Sequence, residues 1–228
     1  MAARPELRPA ANGAALASAR VREKMTERVR QQGVRDARVL QAMAVVPRHI
    51  FVDAALASRA YEDSAMPIGH GQTISRPYIV ARCAELLLEA IRQPASATVL
   101  EIGTGCGYAA AVLAQLFGNV VSIERLRPMH ERARANLRPL RLPNLRLVFG
   151  DGSFGVPGLP PFDGIVAAAA GAQLPAAWLE QLRNGGRLVA PLGLEQQRLV
   201  VANKDGAGRV SQRTIEAVRF VPLKPGTG

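Results

Sequence analysis

Several features that mark common protein classes are scarce in this sequence of 228 residues. Aromatic residues make up 4% of the chain, too few to suggest the stacking platforms that bind single-stranded nucleic acid. The two cysteines, Cys83 and Cys106, do not suggest a disulfide framework or a metal site. No apolar run approaches the ~20 residues of a membrane span, and the N-terminus lacks a hydrophobic signal core. These absences favour a globular protein that is cytoplasmic and has no membrane partner.

Lysine is also scarce, although the chain is strongly basic. The formal net charge is +11, yet the lysines are Lys24, Lys204 and Lys224 alone, so nearly all of the positive charge is arginine. A basic chain is typical of nucleic-acid-binding proteins. The abundance of alanine, glycine and proline points as much to compositional bias, so the charge by itself predicts no function.

One glycine-rich stretch organises the rest of the chain. Residues 99–102 predict a short apolar strand, Gly103-Thr104-Gly105-Cys106-Gly107 a tight turn, and residues 109–116 a helix. Glycine lets the backbone of such a turn approach a ligand closely, and the helix that follows directs unpaired N–H groups at the same crevice. A dinucleotide-binding turn would require glycine at position 108, where this chain has Tyr108. The observed spacing resembles that of S-adenosylmethionine-dependent methyltransferases.

Acidic residues follow the next two predicted strands. Glu124 comes directly after a strand at 119–123, and Asp151 and Gly152 follow a strand at 144–149. Glu124 is placed to accept hydrogen bonds from ribose hydroxyls, and Asp151 from an adenine amino group. The alternative for Glu124, a solvated carboxylate at a helix entry, is the less favoured one. Asp151 taken alone would be interpreted as an ordinary turn residue. Three successive strand-end signals favour a cofactor-binding α/β domain.

The pattern along the chain predicts a single domain over residues 1–228. We expect residues 1–13 to be disordered, 14–95 to form helices and a substrate loop, and 96–228 to form the cofactor-binding sheet core. The predicted helices are 14–32 with an apolar stripe of Leu16, Val21, Met25 and Val29, a second helix capped by Asp36, then 53–61, 78–91 and 175–182. Further strands are predicted at 164–170 and 187–192 after a turn at Asn184-Gly185-Gly186, and a hairpin at 198–203 and 209–219. The predicted fold class is α/β, with a mostly parallel, doubly wound, Rossmann-like sheet, N-terminal covering helices and a C-terminal antiparallel hairpin.

A long polar loop is predicted over residues 62–77. Ser75 precedes Arg76-Pro77 and is expected to cap the helix at 78–91. Long loops beside a nucleotide-binding fold are more often functional than not, so this loop is also a candidate for substrate binding.

The sequence lacks motifs that several classes of methyltransferase need, and this limits the kinds of methyl acceptor that the protein could use. Residues 167–171, after the fourth core strand, are Ala-Ala-Ala-Ala-Gly and provide no Pro-Pro-aromatic motif, cysteine nucleophile or carboxylate cluster. An acceptor that is already an anion needs none of these. A carboxylate has a pKa near ~4, so it can attack a sulfonium methyl without losing a proton. In a dry pocket, neutral donors such as Thr73 and Ser75 would be sufficient to hold it.

Short motifs throughout the chain give it a family resemblance. They are Val46-Pro47-Arg48, residues 66–78 with Gly71-Gln72-Thr73-Ile74-Ser75, residues 100–108, Ile123-Glu124, Gly150-Asp151-Gly152, Pro161-Phe162-Asp163, residues 181–187 and Phe220-Val221-Pro222-Leu223. Together they resemble the protein-L-isoaspartate O-methyltransferases over nearly the whole chain after its N-terminal segment. The Gly-Gln-Thr-Ile-Ser segment is specific, whereas the glycine turn occurs in many methyltransferases.

The resemblance implies roles for these positions. Ser75 matches the family's active-site serine, and Thr73, Ile74 and Ser75 would line the pocket for the isoaspartyl carboxyl group. The cofactor would be S-adenosylmethionine, leaving S-adenosylhomocysteine, with no metal; its binding residues would be Glu101, Gly103, Thr104, Gly105, Gly107, Glu124, Asp151 and Gly152. The implied reaction methylates the free carboxyl of L-isoaspartyl residues in damaged proteins and peptides, and the ester then cyclises to a succinimide that partly restores aspartate.

Some points stay open at this stage. Cys106 stands where serine is common in the family, and Arg76 where glutamine is common, which adds a cation beside the acceptor pocket. His49, His70 and His130 are assigned no chemistry. The alternatives are a methyltransferase for nucleic acid or a small molecule, favoured by the net charge, and a binding protein that has kept the fold and lost the cofactor. We expect a monomer whose partners are isoaspartyl peptides and proteins, with no obligate nucleic acid.

Overall fold

The computed structural model describes residues 13–228, with side chains from residue 19, and is built on a seven-stranded sheet. The strands are β1 (Met66–Gly69), β2 (Gln72–Ile74), β3 (Thr98–Ile102), β4 (Asn119–Glu124), β5 (Leu145–Phe149), β6 (Phe162–Ala167), β7 (Leu182–Leu192), β8 (Arg198–Lys204) and β9 (Val210–Ala217). The α-helices are α1 (Gly13–Gln31), α2 (Ala37–Val45), α3 (Pro77–Leu88), α4 (Tyr108–Leu116), α5 (Arg127–Leu137) and α6 (Ala176–Gln181). The large sheet has the order β5-β4-β3-β6-β7-β8-β9, with antiparallel pairing at β8 and parallel pairing elsewhere. The predicted α/β fold is confirmed.

The pleat of the sheet sends side chains alternately to two covered faces. Val99 of β3 belongs to a hydrophobic cluster shared with α1 to α5, whereas Leu100 and Ile102 belong to a second cluster that contains Trp178 of α6. The strand order reverses between β3 and β6, because β4 and β5 lie on one side of β3 and β6 to β9 on the other. Open α/β sheets bind ligands outside the carboxyl ends of their strands at such a reversal.

The N-terminal helices form a layer on top of α3 and α4. Helix α1 packs against α2 and α3, and α2 packs against α3 and α4. Asp36 caps α2 as predicted, since its Oδ1 accepts the Arg38 N–H at 2.8 Å. Two short 3-10 helices, Arg48–Phe51 and Ala54–Arg59, follow α2, and the second occupies most of the helix predicted at 53–61.

The apolar stripe predicted on α1 is only partly correct. Met25 and Val29 are buried, but Val21 is 39% exposed. Residues spaced by four drift about 40° per step around a helix, which places Val21 at the edge of the stripe. Leu16 and the segment predicted to be disordered lie outside the described side chains and residues, apart from Gly13, which begins α1.

The segment 62–77 contains a hairpin where a continuous loop was predicted. Strands β1 and β2 pair antiparallel, with Met66 opposite Ile74. Met66, Ile68 and Ile74 are each at most 4% exposed, and Met66 and Ile68 alternate along β1 with the exposed Pro67 and Gly69. The turn residues at positive φ are Gly69, His70 and Gly71. The hairpin places Thr73 and Ile74 on a strand rather than on a mobile loop.

The bounds of β6 and β7 also differ from the prediction. Strand β6 begins at Phe162 and ends at Ala167, earlier than predicted at both ends. The turn predicted at 184–186 is an irregularity inside β7, where the register with β6 shifts and Gly185 has a φ of +83°. Among the described residues, no helix is long and apolar enough to cross a membrane, and Cys83 and Cys106 are both free and buried.

Candidate active site

The glycine turn between β3 and α4 forms the floor of a crevice at the reversal point of the sheet. Gly103, Gly105 and Gly107 have φ values of +92°, +55° and +94°, a region that other residues enter at a cost of roughly 1–2 kcal/mol. Gly103 and Gly105 line the crevice, and the Gly103 N–H is held by Ile123 O at 2.9 Å. A Cβ on Gly107 would lie 2.8 Å from Leu137 Cδ1, so this glycine permits close packing of α4 and α5. Gly107 is not among the residues that line the crevice.

Glu124 ends β4 and fixes the shape of the same turn. It is 6% exposed, its Oε2 accepts the Gly105 N–H at 2.9 Å, and its Oε1 accepts the Leu126 N–H at 2.9 Å. The interpretation of Glu124 as a solvated carboxylate at a helix entry is therefore wrong. Each carboxylate oxygen has a second lone pair, so Glu124 can hold the turn and still accept from a ligand hydroxyl in the crevice.

Glu101 lies near the carboxyl end of the central strand β3 and is almost completely buried. It is 1% exposed, and its Oε2 accepts the Ser122 hydroxyl at 2.5 Å. Ser122 is in turn 2.6 Å from Thr104 Oγ1, so a chain of three polar side chains connects β3, β4 and the glycine turn. Burial raises the pKa of Glu101 to about 8, with the Ser122 hydrogen bond opposing the shift and Glu124 adding to it. Burial thus favours the protonated form of Glu101, and a cation beside it would favour the ionised form.

Asp151 and Gly152 follow β5, but only Gly152 lines the crevice. Asp151 Oδ1 accepts from the N–H and the hydroxyl of Ser153, and Oδ2 accepts the Gly226 N–H at 2.5 Å. Burial would raise the pKa of Asp151, but these hydrogen bonds outweigh it and hold the pKa below its ordinary value. A Cβ on Gly152 would lie 2.7 Å from Ile102 Cγ2. Glycine is therefore needed where this loop crosses the end of β3.

The crevice joins the sheet edge to the β1–β2 hairpin. Of the residues predicted for the site, it is lined by Thr73, Ile74, Ser75, Glu101, Gly103, Thr104, Gly105, Glu124 and Gly152. Gly107 and Asp151 stand behind this surface. The β1–β2 hairpin and the sheet core therefore form one site.

Ser75 does not cap α3, contrary to the prediction. The residue before Pro77 at the helix start is Arg76, whose side chain makes no capping bond. Asp63 supplies the cap instead, since its Oδ1 accepts the Tyr78 N–H at 3.0 Å. Ser75 lies one residue too early to take this role, and its hydroxyl makes no hydrogen bond to another described residue. That hydroxyl is consequently available to a ligand in the crevice.

A second groove opens from the end of the crevice that is lined by Thr73 and Ser75. It is lined by Ala65, Thr73, Ser75, Arg76, Ile79, Ala168, Ala217, Val218, Arg219, Phe220 and Val221. We call it the acceptor groove. It shares Thr73, Ser75, Ala168 and Val221 with the crevice, so an extended ligand in the groove would reach the crevice at these four residues. Among the described residues, no group of three or more His, Cys, Asp or Glu could hold a metal ion.

Comparison with known proteins assigns this site to a family. A model of the protein-L-isoaspartate (D-aspartate) O-methyltransferase family matches residues 19–228. The chain belongs to this family. A relative from Bordetella avium, named protein-L-isoaspartate O-methyltransferase, is 59% identical over 227 residues, which cover 98% of this chain and 85% of that protein. A relative of the same name from Ralstonia nicotianae is 53% identical, covering 93% of this chain and 71% of that protein.

Solved structures show the same fold. A protein-L-isoaspartate O-methyltransferase superposes with a TM-score of 0.81 at 30% identity, covering 91% of this chain and 67% of that chain. A Plasmodium falciparum structure described as such a methyltransferase, in complex with S-adenosyl-L-homocysteine, has a TM-score of 0.78 at 23% identity, covering 89% of this chain and 98% of that chain. The family resemblance and the methyltransferase fold predicted from the sequence are confirmed.

Several residues of the site in this family member were missed by sequence reasoning. Ser122 interrupts the apolar run of β4, and the parallel register places it beside Glu101. Trp178 donates its Nε1–H to Gly152 O at 2.8 Å and so supports the loop at the far end of the crevice. The polar residue inside a buried strand was a usable signal for Ser122. The contact of Trp178 depends on tertiary packing, and nothing in the local sequence indicates it.

Proposed function

We propose that this protein transfers the methyl group of S-adenosylmethionine to the free carboxyl of L-isoaspartyl residues in damaged proteins and peptides. The observation that carries the proposal is the junction of the crevice and the acceptor groove at neutral residues. Thr73, Ser75, Ala168 and Val221 line both cavities at this junction, and none of their side chains is a base or a nucleophile of the kind that an uncharged acceptor would need. Both relatives reported above carry the name of this activity.

The residues at the sheet edge fit S-adenosylmethionine. Gly103 and Gly105 leave the space that a Cβ would fill, so the methionine part of the cofactor can lie against their backbone. Glu101 is a buried carboxyl with no cationic partner among the described residues, and an ammonium group in the crevice would provide one. Glu124 would accept from the ribose, and the loop at Gly152 would lie along the adenine. Bound in this way, the cofactor supplies an electrophilic methyl group on a sulfonium sulfur.

The protein itself then acts by position and by exclusion of water. The acceptor is a carboxylate with a pKa near ~4, so it arrives ionised and needs no general base. Its attack brings opposite charges together, and water would oppose that step by solvating both of them. Ser75 and Thr73 would hold the carboxylate as neutral hydrogen-bond donors and align it with the methyl group. The carboxylate oxygen bonds to the methyl carbon as the carbon–sulfur bond breaks, which leaves a methyl ester and S-adenosylhomocysteine.

We also propose that the enzyme acts as a cytoplasmic monomer. The crevice and the acceptor groove are both lined by residues of a single chain, which supports a monomer being sufficient for activity. Sedimentation at the concentration used for assays tests this, and activity confined to a dimeric fraction would contradict it. Fractionation of cells that produce the protein tests the location.

The deciding experiment compares two peptides that differ at one residue. One carries L-isoaspartate and the other normal aspartate at the same position, and each is incubated with labelled S-adenosylmethionine. We expect base-labile label in the isoaspartyl peptide alone. Equal labelling of both peptides, or of neither, would contradict the proposal, and a transfer RNA or single-stranded DNA arm would reveal the alternative favoured by the net charge. A D-aspartyl peptide in a further arm measures the width of the specificity.

A further inference from the structure

Two arginines line the acceptor groove. Arg76 directly precedes α3, and Arg219 lies just beyond β9. None of the described residues that line the groove is an aspartate or a glutamate. A ligand that enters the groove therefore meets two guanidinium groups and no opposing carboxylate on its walls.

Arg76 is held in a fixed position. Its Nη2 lies 3.0 Å from Asp63 Oδ2 and donates to Gln32 Oε1 at 3.1 Å, and its guanidinium lies 5.1 Å from the centre of the Tyr78 ring. The side chain is nevertheless 43% exposed. The Asp63 carboxylate offsets part of the charge of Arg76. The same contacts order the guanidinium before a ligand binds, so binding costs less side-chain entropy.

Arg219 differs from Arg76 because its charge is not offset. It is exposed, and it forms no ion pair or hydrogen bond with another described residue. It directly precedes Phe220, which lines the groove, and Val221, which lines both the groove and the crevice. An arginine in this position is free to meet a side chain of the bound polypeptide.

We propose that Arg76 and Arg219 select isoaspartyl sites that have an aspartate or glutamate among their nearest neighbours in the substrate. The inference rests on the proposed function, because it assumes that the groove holds the polypeptide on either side of the isoaspartyl residue. Arg76 directly follows Ser75, so a substrate residue adjacent to the reacting carboxyl lies within the reach of its side chain. Both arginines act as specificity-determining residues and take no part in methyl transfer.

The expected effect is moderate and depends on salt. Ion pairs between exposed charges are weak, so each arginine should change kcat/KM for a suitable peptide by about two- to fivefold. Screening shortens the range of such interactions to ~10 Å at 0.1 M salt, so the selectivity should fall as salt is added.

The test uses three isoaspartyl peptides that are identical except for glutamate, glutamine or lysine on both sides of the isoaspartyl residue. The wild-type protein should give kcat/KM in the order Glu, Gln, Lys, with about a tenfold difference between the first and the last at low salt. Arg76→Gln and Arg219→Gln should each bring the Glu-to-Lys ratio closer to one, and Arg219→Glu should favour the lysine peptide. Arg209→Gln removes the same charge from an exposed side chain in the β8–β9 turn, outside the groove, and should keep the wild-type ratio.

The ratio between peptides separates selectivity from a general loss of activity or of folded protein, because such losses affect all three peptides equally. Equal kcat/KM for the three peptides would overturn the inference and leave the proposed function intact. A preference that survives unchanged in the Arg76→Gln/Arg219→Gln double variant would also overturn it. Failure to methylate any of the three would instead count against the proposed function.

Discussion

The two ends of the crevice differ in whether their polar side chains already form hydrogen bonds within the protein. At the cofactor end, Glu101, Glu124 and Asp151 each have protein partners, and two of them hold backbone N–H groups of the loops on which the ligand would lie. At the acceptor end, the Ser75 hydroxyl has no described partner and Thr73 is exposed. The cofactor end is thus fixed before binding, as suits a single unchanging ligand. The acceptor end keeps free donors, as suits a polypeptide of variable sequence.

A substitution in the glycine turn should have the largest effect, because it breaks the fixed end. Gly103→Val would place a β-branched side chain at a φ of +92° and 3.5 Å from Ala168 Cβ, on the surface of the crevice. We expect affinity for S-adenosylhomocysteine, measured by calorimetry, to fall by about 100-fold or more because the side chain takes space that the ligand needs. The strain at this φ should lower the free energy of unfolding by ~1–2 kcal/mol. Gly158→Val is the matched control: its φ is +82° and nothing lies within 4 Å of a Cβ there. Equal loss of affinity in the two variants would mean that backbone strain alone explains the result.

Removal of the Ser75 hydroxyl should have the next largest effect and should act at the acceptor end alone. Ser75→Ala deletes one hydrogen bond to a charged acceptor, which is worth ~1.5–3 kcal/mol, so kcat/KM for an isoaspartyl peptide should fall by about 10–100-fold. Because Asp63 rather than Ser75 caps α3, the melting temperature should stay close to that of the wild type. Calorimetry with S-adenosylhomocysteine should give an unchanged affinity. A lower melting temperature with unchanged turnover would show that Ser75 has only a structural role.

The buried carboxyl at the cofactor end should couple binding to pH. The pKa of Glu101 is raised from 4.5 to about 8 by burial, so the folded protein keeps a proton that the unfolded chain loses. Its contribution to stability is present at low pH and is lost as the pH rises from 5 to 8. Binding of an ammonium group beside Glu101 should expel that proton, so affinity for S-adenosylhomocysteine should rise by up to about tenfold per pH unit between pH 6 and 7.5.

Two measurements check this coupling. Calorimetry at pH 7 in buffers with different ionisation enthalpies should report about one proton released per ligand bound. Glu101→Gln does not titrate, so it should bind more weakly, release no proton at this site, and lose the decrease in unfolding free energy that the wild type shows from pH 5 to 8. Equal proton release by the variant and the wild type would assign the proton to another group.

Sequence reasoning succeeded where the signal is local and failed where it depends on contacts between distant segments. The glycine turn, the acidic residues after β4 and β5, and the C-terminal hairpin were all placed correctly, because strand ends and turns have short-range signatures. The β1–β2 hairpin was missed because its strands have only four and three residues, and the first contains Pro67 and Gly69, which are typical of turns. The cap of α3 was misassigned because its carboxylate comes from Asp63, 15 residues before Tyr78. The position of Ser75 beside the cofactor end likewise follows from tertiary packing, although the family resemblance had implied it.

The smallest effect is expected at Asp151, which belongs to the cofactor end but does not line the crevice. Asp151 lies behind the crevice surface, and the Gly226 N–H already occupies the oxygen that is not bonded to Ser153. An adenine amino group would therefore have to share that oxygen or displace the segment at Gly226. Asp151→Asn should weaken binding of S-adenosylhomocysteine by about two- to tenfold, the value of one ordinary hydrogen bond, and should leave kcat for an isoaspartyl peptide nearly unchanged. A 100-fold loss would mean that the carboxylate contacts the ligand directly, and that the segment at Gly226 moves when the cofactor binds.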